Sequence, residues 1–200
     1  MSARTRRRFR RRLGKLLFAL VLIAGLALLV FKALDRGYDV YVESTYTLEH
    51  YETVEAACEQ YGVPMSLAYA IIRTESGFDE TAHSTADAYG LMQMTQTGLD
   101  WIRQRSDEFD DVTVDDLYDP QTNIRCGVYY LSLLRAEFEN DDTVAAAYNA
   151  GIGKVWAWLD DPACSDDGKT LHTIPYKETR TYVKRVASSR ALYQEYYHLT

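Results

Sequence analysis

Glu75 stands where an apolar stretch beginning at Met65 runs out into a polar loop opened by Gly77. Three, four and seven residues before it are Ile72, Ile71 and Ala68, so at helical spacing the carboxyl shares a face with core residues. The nearest cation, Arg73, is two residues away and points elsewhere on such a helix. Burial should then dominate and push the Glu75 pKa up. A carboxyl that stays protonated near neutral pH can serve as a general acid. The bland alternative is that Glu75 ends a helix at the surface, the usual fate of a glutamate there.

The residues around it favour chemistry. Glu75-Ser76-Gly77-Phe78-Asp79 is followed by Tyr89-Gly90-Leu91-Met92-Gln93, then by Ala147-Tyr148-Asn149-Ala150-Gly151. The run Ile174-Pro175-Tyr176-Lys177-Glu178-Thr179-Arg180-Thr181-Tyr182-Val183 closes the series. In type and order these four blocks resemble the soluble lytic transglycosylase (SLT) domain family of the lysozyme-like superfamily, over about Tyr46 to Tyr197. The resemblance implies a mainly α-helical, lysozyme-like fold that cleaves the glycan strands of bacterial peptidoglycan. Carried over by position, it makes Glu75 the catalytic acid, lines the cleft with Ser84 and Gln93, and adds Tyr148, Asn149, Glu178 and Tyr182 as substrate-binding groups. It further implies that Glu75 protonates the β-1,4 oxygen between N-acetylmuramic acid and N-acetylglucosamine, then deprotonates the muramoyl C6 hydroxyl that attacks C1.

Two positions depart from the family pattern. Asp87 stands where glycine is usual, which bears on the backbone of that turn. Met94-Thr95-Gln96 follows the GLMQ stretch in place of Ile-Met-Pro, which puts a polar side chain near the sugar. Two rival functions share the fold or the cleft. A goose-lysozyme-like hydrolase would need a route for activated water, commonly a second carboxylate, for which Asp79, Glu80 and Asp87 are near in sequence. A noncatalytic peptidoglycan-binding or assembly protein would keep the cleft without turnover.

The elements that must position these residues are set by punctuation and period. Pro64 suits the first turn of the helix that carries Glu75. Leu48 to Tyr61 reads as a preceding helix closed by Gly62. Phe78 to Tyr89 is a polar loop in which the lone His83 has no assigned role. Asp119-Pro120 is a cap and first-turn proline opening a long helix to about Phe138, with Ile124, Val128, Leu131, Leu134 and Phe138 as its buried stripe. Glu137 to Asp142 reads as a solvated acidic loop, and Thr143 to Asn149 as a short helix closed by Gly151. Gly153 to Leu159 carries Trp156 and Trp158, one indole partly exposed, and Asp160 to Thr173 reads as a polar surface loop. The closing helix runs from Tyr176 to about Tyr197, with Tyr182, Val186, Ser189, Tyr193 and Tyr196 on one side and Glu178 in its first turn, where the helix dipole favours an acid.

Two hundred residues, 47% of them hydrophobic, suit one domain with an appendage. Residues 1–15 hold seven Arg and one Lys without an acid, so the remainder carries −15 against −7 for the whole chain. Leu16 to Phe31 is then uncharged and almost wholly apolar. At about 1.5 Å per residue that run is on the short side for a bilayer, and Ala33 and Leu34 extend it if Lys32 snorkels. No small-x-small cleavage site comes after it, so an uncleaved anchor is expected in preference to a signal peptide. The expected plan is a basic cytoplasmic segment over 1–15, a transmembrane anchor over 16–34, a tether over 35–46 and the catalytic domain over 47–200, facing outward by the positive-inside rule. A nucleic-acid arm fits poorly, because an apolar run comes directly after it and the domain is acidic. Cys58, Cys126 and Cys164 are an odd set without metal spacing, for which no disulfide is expected. Without a phosphate loop, a His-x-x-x-His pair or a serine elbow, no cofactor or metal is implied.

Overall fold

The structure, a computed structural model, describes the backbone of residues 3–200 and the side chains of Lys15, Leu17 and residues 20–200. Contacts divide the chain into two units, Met1–Thr47 and Leu48–Thr200, close to the expected boundary.

The first unit is one long helix, α1 (Ala3–Thr45). It continues through Gly37, so the stretch expected as a tether is helical to Thr45; one interior glycine costs only about 1 kcal/mol of helix propensity. The described apolar side chains over 17–34 are exposed, among them Leu20, Ile23, Leu26, Leu29 and Phe31, whereas Val42 is buried. Among the described residues no helix is long and apolar enough to cross a membrane. The basic segment and the start of the apolar run lie, in their side chains, outside the described residues.

The second unit is mainly helical. α2 (Tyr51–Tyr61) begins three residues later than expected, because His50 takes a left-handed φ of 56° and sends the preceding chain away from the helix axis. Gly62 closes it at φ 68°, returning its N–H to the Cys58 carbonyl. α3 (Met65–Glu75) starts after Pro64, and its residues from Ser66 through Ile72 are all buried. A helix this apolar all round belongs at the centre of a domain, and α3 packs against both α2 and α8.

A short antiparallel pair, β1 (Ala88–Tyr89) with β2 (Met94–Thr95), closes the loop after α3. α4 (Gln96–Arg103) is capped by Thr95, whose hydroxyl accepts the Gly98 N–H at 3.1 Å. α5 (Pro120–Glu137) opens as the Asp-Pro pair predicts, with the Asp119 carboxylate accepting from the Thr122 N–H at 2.8 Å; such a cap contributes about 1 kcal/mol. α6 (Asp141–Ala150) starts inside the stretch read as an acidic loop, because Asn140 caps the Asp142 and Thr143 amides. α7 (Ile152–Leu159) buries Trp158 and leaves Trp156 exposed. α8 (Lys177–Tyr197) buries Tyr182, Val183, Val186, Ser189 and Tyr193 against the rest, and it packs on α3 and α6. The polar segment before it is not all surface, since Cys164 and Ser165 are buried.

Candidate active site

Glu75 is the last residue of α3, and immediately beyond it the chain reverses tightly: Gly77 and Phe78 both take left-handed backbone, at φ 62° and 72°. For a bulky residue such as Phe78 that conformation is strained and must be held by its surroundings. Ser76 does part of the holding. Its hydroxyl donates to the Leu91 carbonyl at 2.8 Å and accepts the Phe78 N–H at 3.1 Å, tying the end of α3 to the Gly90–Gln93 turn.

That turn is clamped from the other side by Asn123, which is fully buried on α5. Its side chain accepts from the Met92 N–H at 2.7 Å and donates to the Tyr89 and Leu117 carbonyls, each at 2.8 Å. Close approach is obligatory here. A Cβ on Gly90 would overlap the Leu117 carbonyl and the Asn123 amide, and a Cβ on Gly127 would overlap Met92. Neither Ser76 nor Asn123 stood out as functional in the sequence; the only signal was a polar residue beside Ile124 in an otherwise apolar stripe.

Asp87, at the position where glycine is usual, adopts φ 53°. Aspartate tolerates this region better than most residues. The turn therefore keeps a glycine-like backbone, and the Asp87 carboxylate meets His83 Nε2 at 3.1 Å while the His83 ring stacks on Tyr89 at 4.5 Å.

The sequence-derived residues fall into two groups. Glu75, Asn149, Glu178 and Tyr182 converge on one cleft of about 590 Å³, together with Thr74, Lys177, Thr181 and Arg185. Asn149 also lines a second lobe of about 520 Å³ with Tyr148, Tyr130, Trp101 and Thr95, so the two lobes meet at that residue. Thr95 is thus the polar side chain that the departure after GLMQ brings to the cleft, whereas Met94 is buried in the core.

Ser84 and Gln93 line neither lobe. The Ser84 hydroxyl accepts from the Ala86 and Ala88 amides, and Gln93 Nε2 donates to the Ala82 and Gly90 carbonyls. Both side chains brace the loop that follows α3. Tyr148 sits behind it, its hydroxyl donating to the Met92 carbonyl at 2.8 Å.

The electrostatics of Glu75 stem from this packing. Burial pushes its carboxyl from 4.5 up to about 7, against the opposing pull of the Tyr182 hydrogen bond and the Arg185 charge. The Tyr182 hydroxyl donates to Glu75 Oε1 at 2.6 Å. Burial, with the Glu75 charge adding to it, holds both Tyr148 and Tyr182 far above the ordinary phenol value, so both remain neutral donors. Of the carboxylates that could assist a hydrolytic water, Asp79 is engaged by Thr81, Glu80 by His50 and Asp87 by His83. Glu178 alone shares the cleft with Glu75 among the described residues.

The transglycosylase SLT domain model matches residues 52–170, a stretch that holds α3 with Glu75 and runs on through α7. The chain belongs to the SLT domain family. It is 34% identical over 157 residues to the soluble lytic murein transglycosylase of Escherichia coli strain K12, a match covering 77% of this chain and 24% of that protein. Identity is also 34%, over 163 residues, to the membrane-bound lytic murein transglycosylase C of Pectobacterium atrosepticum, covering 70% of this chain and 45% of the relative. Among solved structures, an inactive mutant of the lytic transglycosylase Slt from Pseudomonas aeruginosa superposes with a TM-score of 0.67 at 32% identity, over 78% of this chain and 26% of that one. The matches therefore span less than half the length of these relatives.

Proposed function

We propose that this chain is a membrane-anchored peptidoglycan lytic transglycosylase whose catalytic acid is Glu75. The observation that carries the reading is a carboxyl held near pKa 7 by burial, in a cleft, with one phenolic donor on its oxygen. Such a group is protonated for much of its time at neutral pH yet is a competent base once ionised.

In the proposed reaction Glu75 gives its proton to the glycosidic oxygen between N-acetylmuramic acid and N-acetylglucosamine, and the C1–O bond breaks. The electron pair leaves with the N-acetylglucosamine alcohol, and positive charge develops at C1. The Glu75 carboxylate, now bonded by Tyr182, takes the proton of the muramoyl C6 hydroxyl as that oxygen attacks C1. A 1,6-anhydromuramoyl end results, the acid is regenerated and no water is consumed. Asn149 and Glu178 would position the saccharide, a reading supported by their lining the same cleft as Glu75. Tyr148, Ser84 and Gln93 act through the walls, keeping the loop after α3 in shape.

The membrane part rests on the pattern of the first unit. A basic segment over 1–15 precedes an apolar run over 16–34 whose described side chains are exposed on all faces of α1, as a helix made for lipid would present them. Residues 35–46 would then space the catalytic unit, 47–200, from the outer membrane surface.

The decisive experiment digests purified glycan with residues 36–200 in ¹⁸O-labelled water and reads product masses. Unlabelled anhydro ends, one water lighter than reducing ends and absent with Glu75→Gln, are expected. Labelled reducing ends would instead make the domain a lysozyme-like hydrolase, and Glu178 would be the residue to test for activating water.

A further inference from the structure

The face of α8 that borders the cleft carries residues 177, 178, 181, 182 and 185, the i, i+1, i+4, i+5, i+8 series of one helical side. Two of these are cations. Lys177 and Arg185 are both exposed, and neither enters an ion pair among the described residues. Arg185 is nevertheless oriented, because its Nη2 donates to the Thr74 carbonyl at 3.3 Å, beside the catalytic residue on α3. The other cleft-lining groups that can carry charge are Glu75, whose pKa burial raises to about 7, and Glu178.

Beyond residue 15 the chain carries −15, so an anionic polymer meets general repulsion, which cations bordering the cleft offset locally. Glycan strands of peptidoglycan carry carboxylates, on the peptide stem where one is attached and on the lactyl ether of the muramoyl residue where the stem is missing. A planar guanidinium fixed by one backbone bond, with an ammonium about two helical turns away, suits a carboxylate pendant from a sugar bound at Glu75.

We propose that Lys177 and Arg185 form a carboxylate-binding subsite on the α8 edge of the cleft, which selects strands that keep free acidic groups. The subsite deepens the transglycosylase reading and rests on it for the substrate class. Arg185 therefore touches two partners in sequence, the Thr74 carbonyl in the free chain and the substrate carboxylate in the complex.

The test measures binding to the Glu75→Gln chain, so that turnover does not intrude. The probes are soluble peptidoglycan tetrasaccharides with free stem carboxylates, the same fragments amidated with carbodiimide and ammonia, and peptide-stripped fragments whose remaining carboxylate is the lactyl one. Free-acid fragments should bind about three- to tenfold tighter than amidated ones at low salt, the range expected of two solvent-exposed charge pairs. That preference should shrink as salt rises. In Lys177→Gln/Arg185→Gln the two Kd values should converge, while Arg185→Lys alone should retain most of the preference and controls for misfolding. Tight binding of stripped fragments assigns the lactyl carboxylate, and its loss assigns the stem; either supports the subsite. Equal binding of free and amidated fragments by the parent chain, or a preference that survives the double substitution, overturns it. A parent chain that shows the preference but whose unsubstituted form releases no fragment from any strand would refute the transglycosylase reading and leave the subsite standing.

Discussion

The Tyr182 hydroxyl donates to Glu75 Oε1 at 2.6 Å although 107 residues separate them in the chain. Burial alone would carry the carboxyl still higher, so Tyr182 and Arg185 hold it at about 7, where the proposed reaction has it both give and take a proton. Glu75→Gln keeps an acceptor for Tyr182 and should fold normally. Release of fragments from purified glycan should nonetheless fall by at least about a hundredfold, since loss of a general acid costs 10²–10⁴. Near-parental turnover in a folded variant would place the chemistry elsewhere.

The rate should depend on pH through the same group. Because Glu75 must start protonated, kcat/KM should decline above about pH 7, where its carboxyl ionises. Tyr182→Phe removes a hydrogen bond that lowers this pKa, so the decline should move to higher pH while the maximal rate falls. A decline that moves to lower pH, or stays put, would mean that the hydroxyl does not act on the acid.

Stability should carry the opposite signature to an ordinary salt-bridged acid. With a folded pKa of about 7 against 4.5 for the unfolded group, the folded state binds more protons between those values, so stability falls as pH rises through that window. Glu75→Gln removes the titration. Relative to the parent it should gain stability between pH 4 and pH 8, by at most about 3 kcal/mol, as measured by urea unfolding at the two pH values.

The loop after α3 is predicted to be the fragile part of the site. Asn123→Ala strips partners from three buried backbone groups and should cost about 2–4 kcal/mol. Gly127→Ala drives a methyl group into Met92 and should cost about 1–3 kcal/mol. Both should lower Tm and, at temperatures where the domain stays folded, lower kcat, because Met92 and Leu91 anchor Tyr148 and Ser76.

The proposed anchor is tested separately. Protease added to intact wall-less cells should digest the domain beyond Arg36, and a membrane fraction washed with high salt should retain the undigested chain. Protection from protease, or a soluble mature chain, would end the case for an uncleaved outward-facing anchor.

Much of the catalytic helix was legible residue by residue. Pro64, Gly77 and the spacing of Ala68, Ile71 and Ile72 before Glu75 gave both the helix and the direction of the acid's pKa, because period and punctuation are local properties. Pairing across the chain was not legible. Periodicity says that α3 and α8 each have a buried side but not that they bury against one another, and nothing local marks Asn123 as the clamp on a turn 31 residues earlier. The late start of α2 turned on a left-handed His50, a conformation uncommon for any residue but glycine and one that no periodicity announces. Ser84 and Gln93 illustrate a subtler limit. Position marked them as important, but their polar atoms are spent on loop backbone, which only coordinates reveal.

The docking of α8 onto α3 also fixes when the acid comes into being. The Tyr182 donor, the Arg185 charge and much of the wall that dries Glu75 come from the final helix, and the Thr200 carbonyl accepts the Ser66 N–H at the start of α3. A chain still on the ribosome, with α3 emerged but α8 unmade, holds Glu75 as an ordinary solvated carboxylate, ionised and unable to donate. In the proposed reaction, the order of translation itself thus withholds the proton of Glu75 until α8 is made.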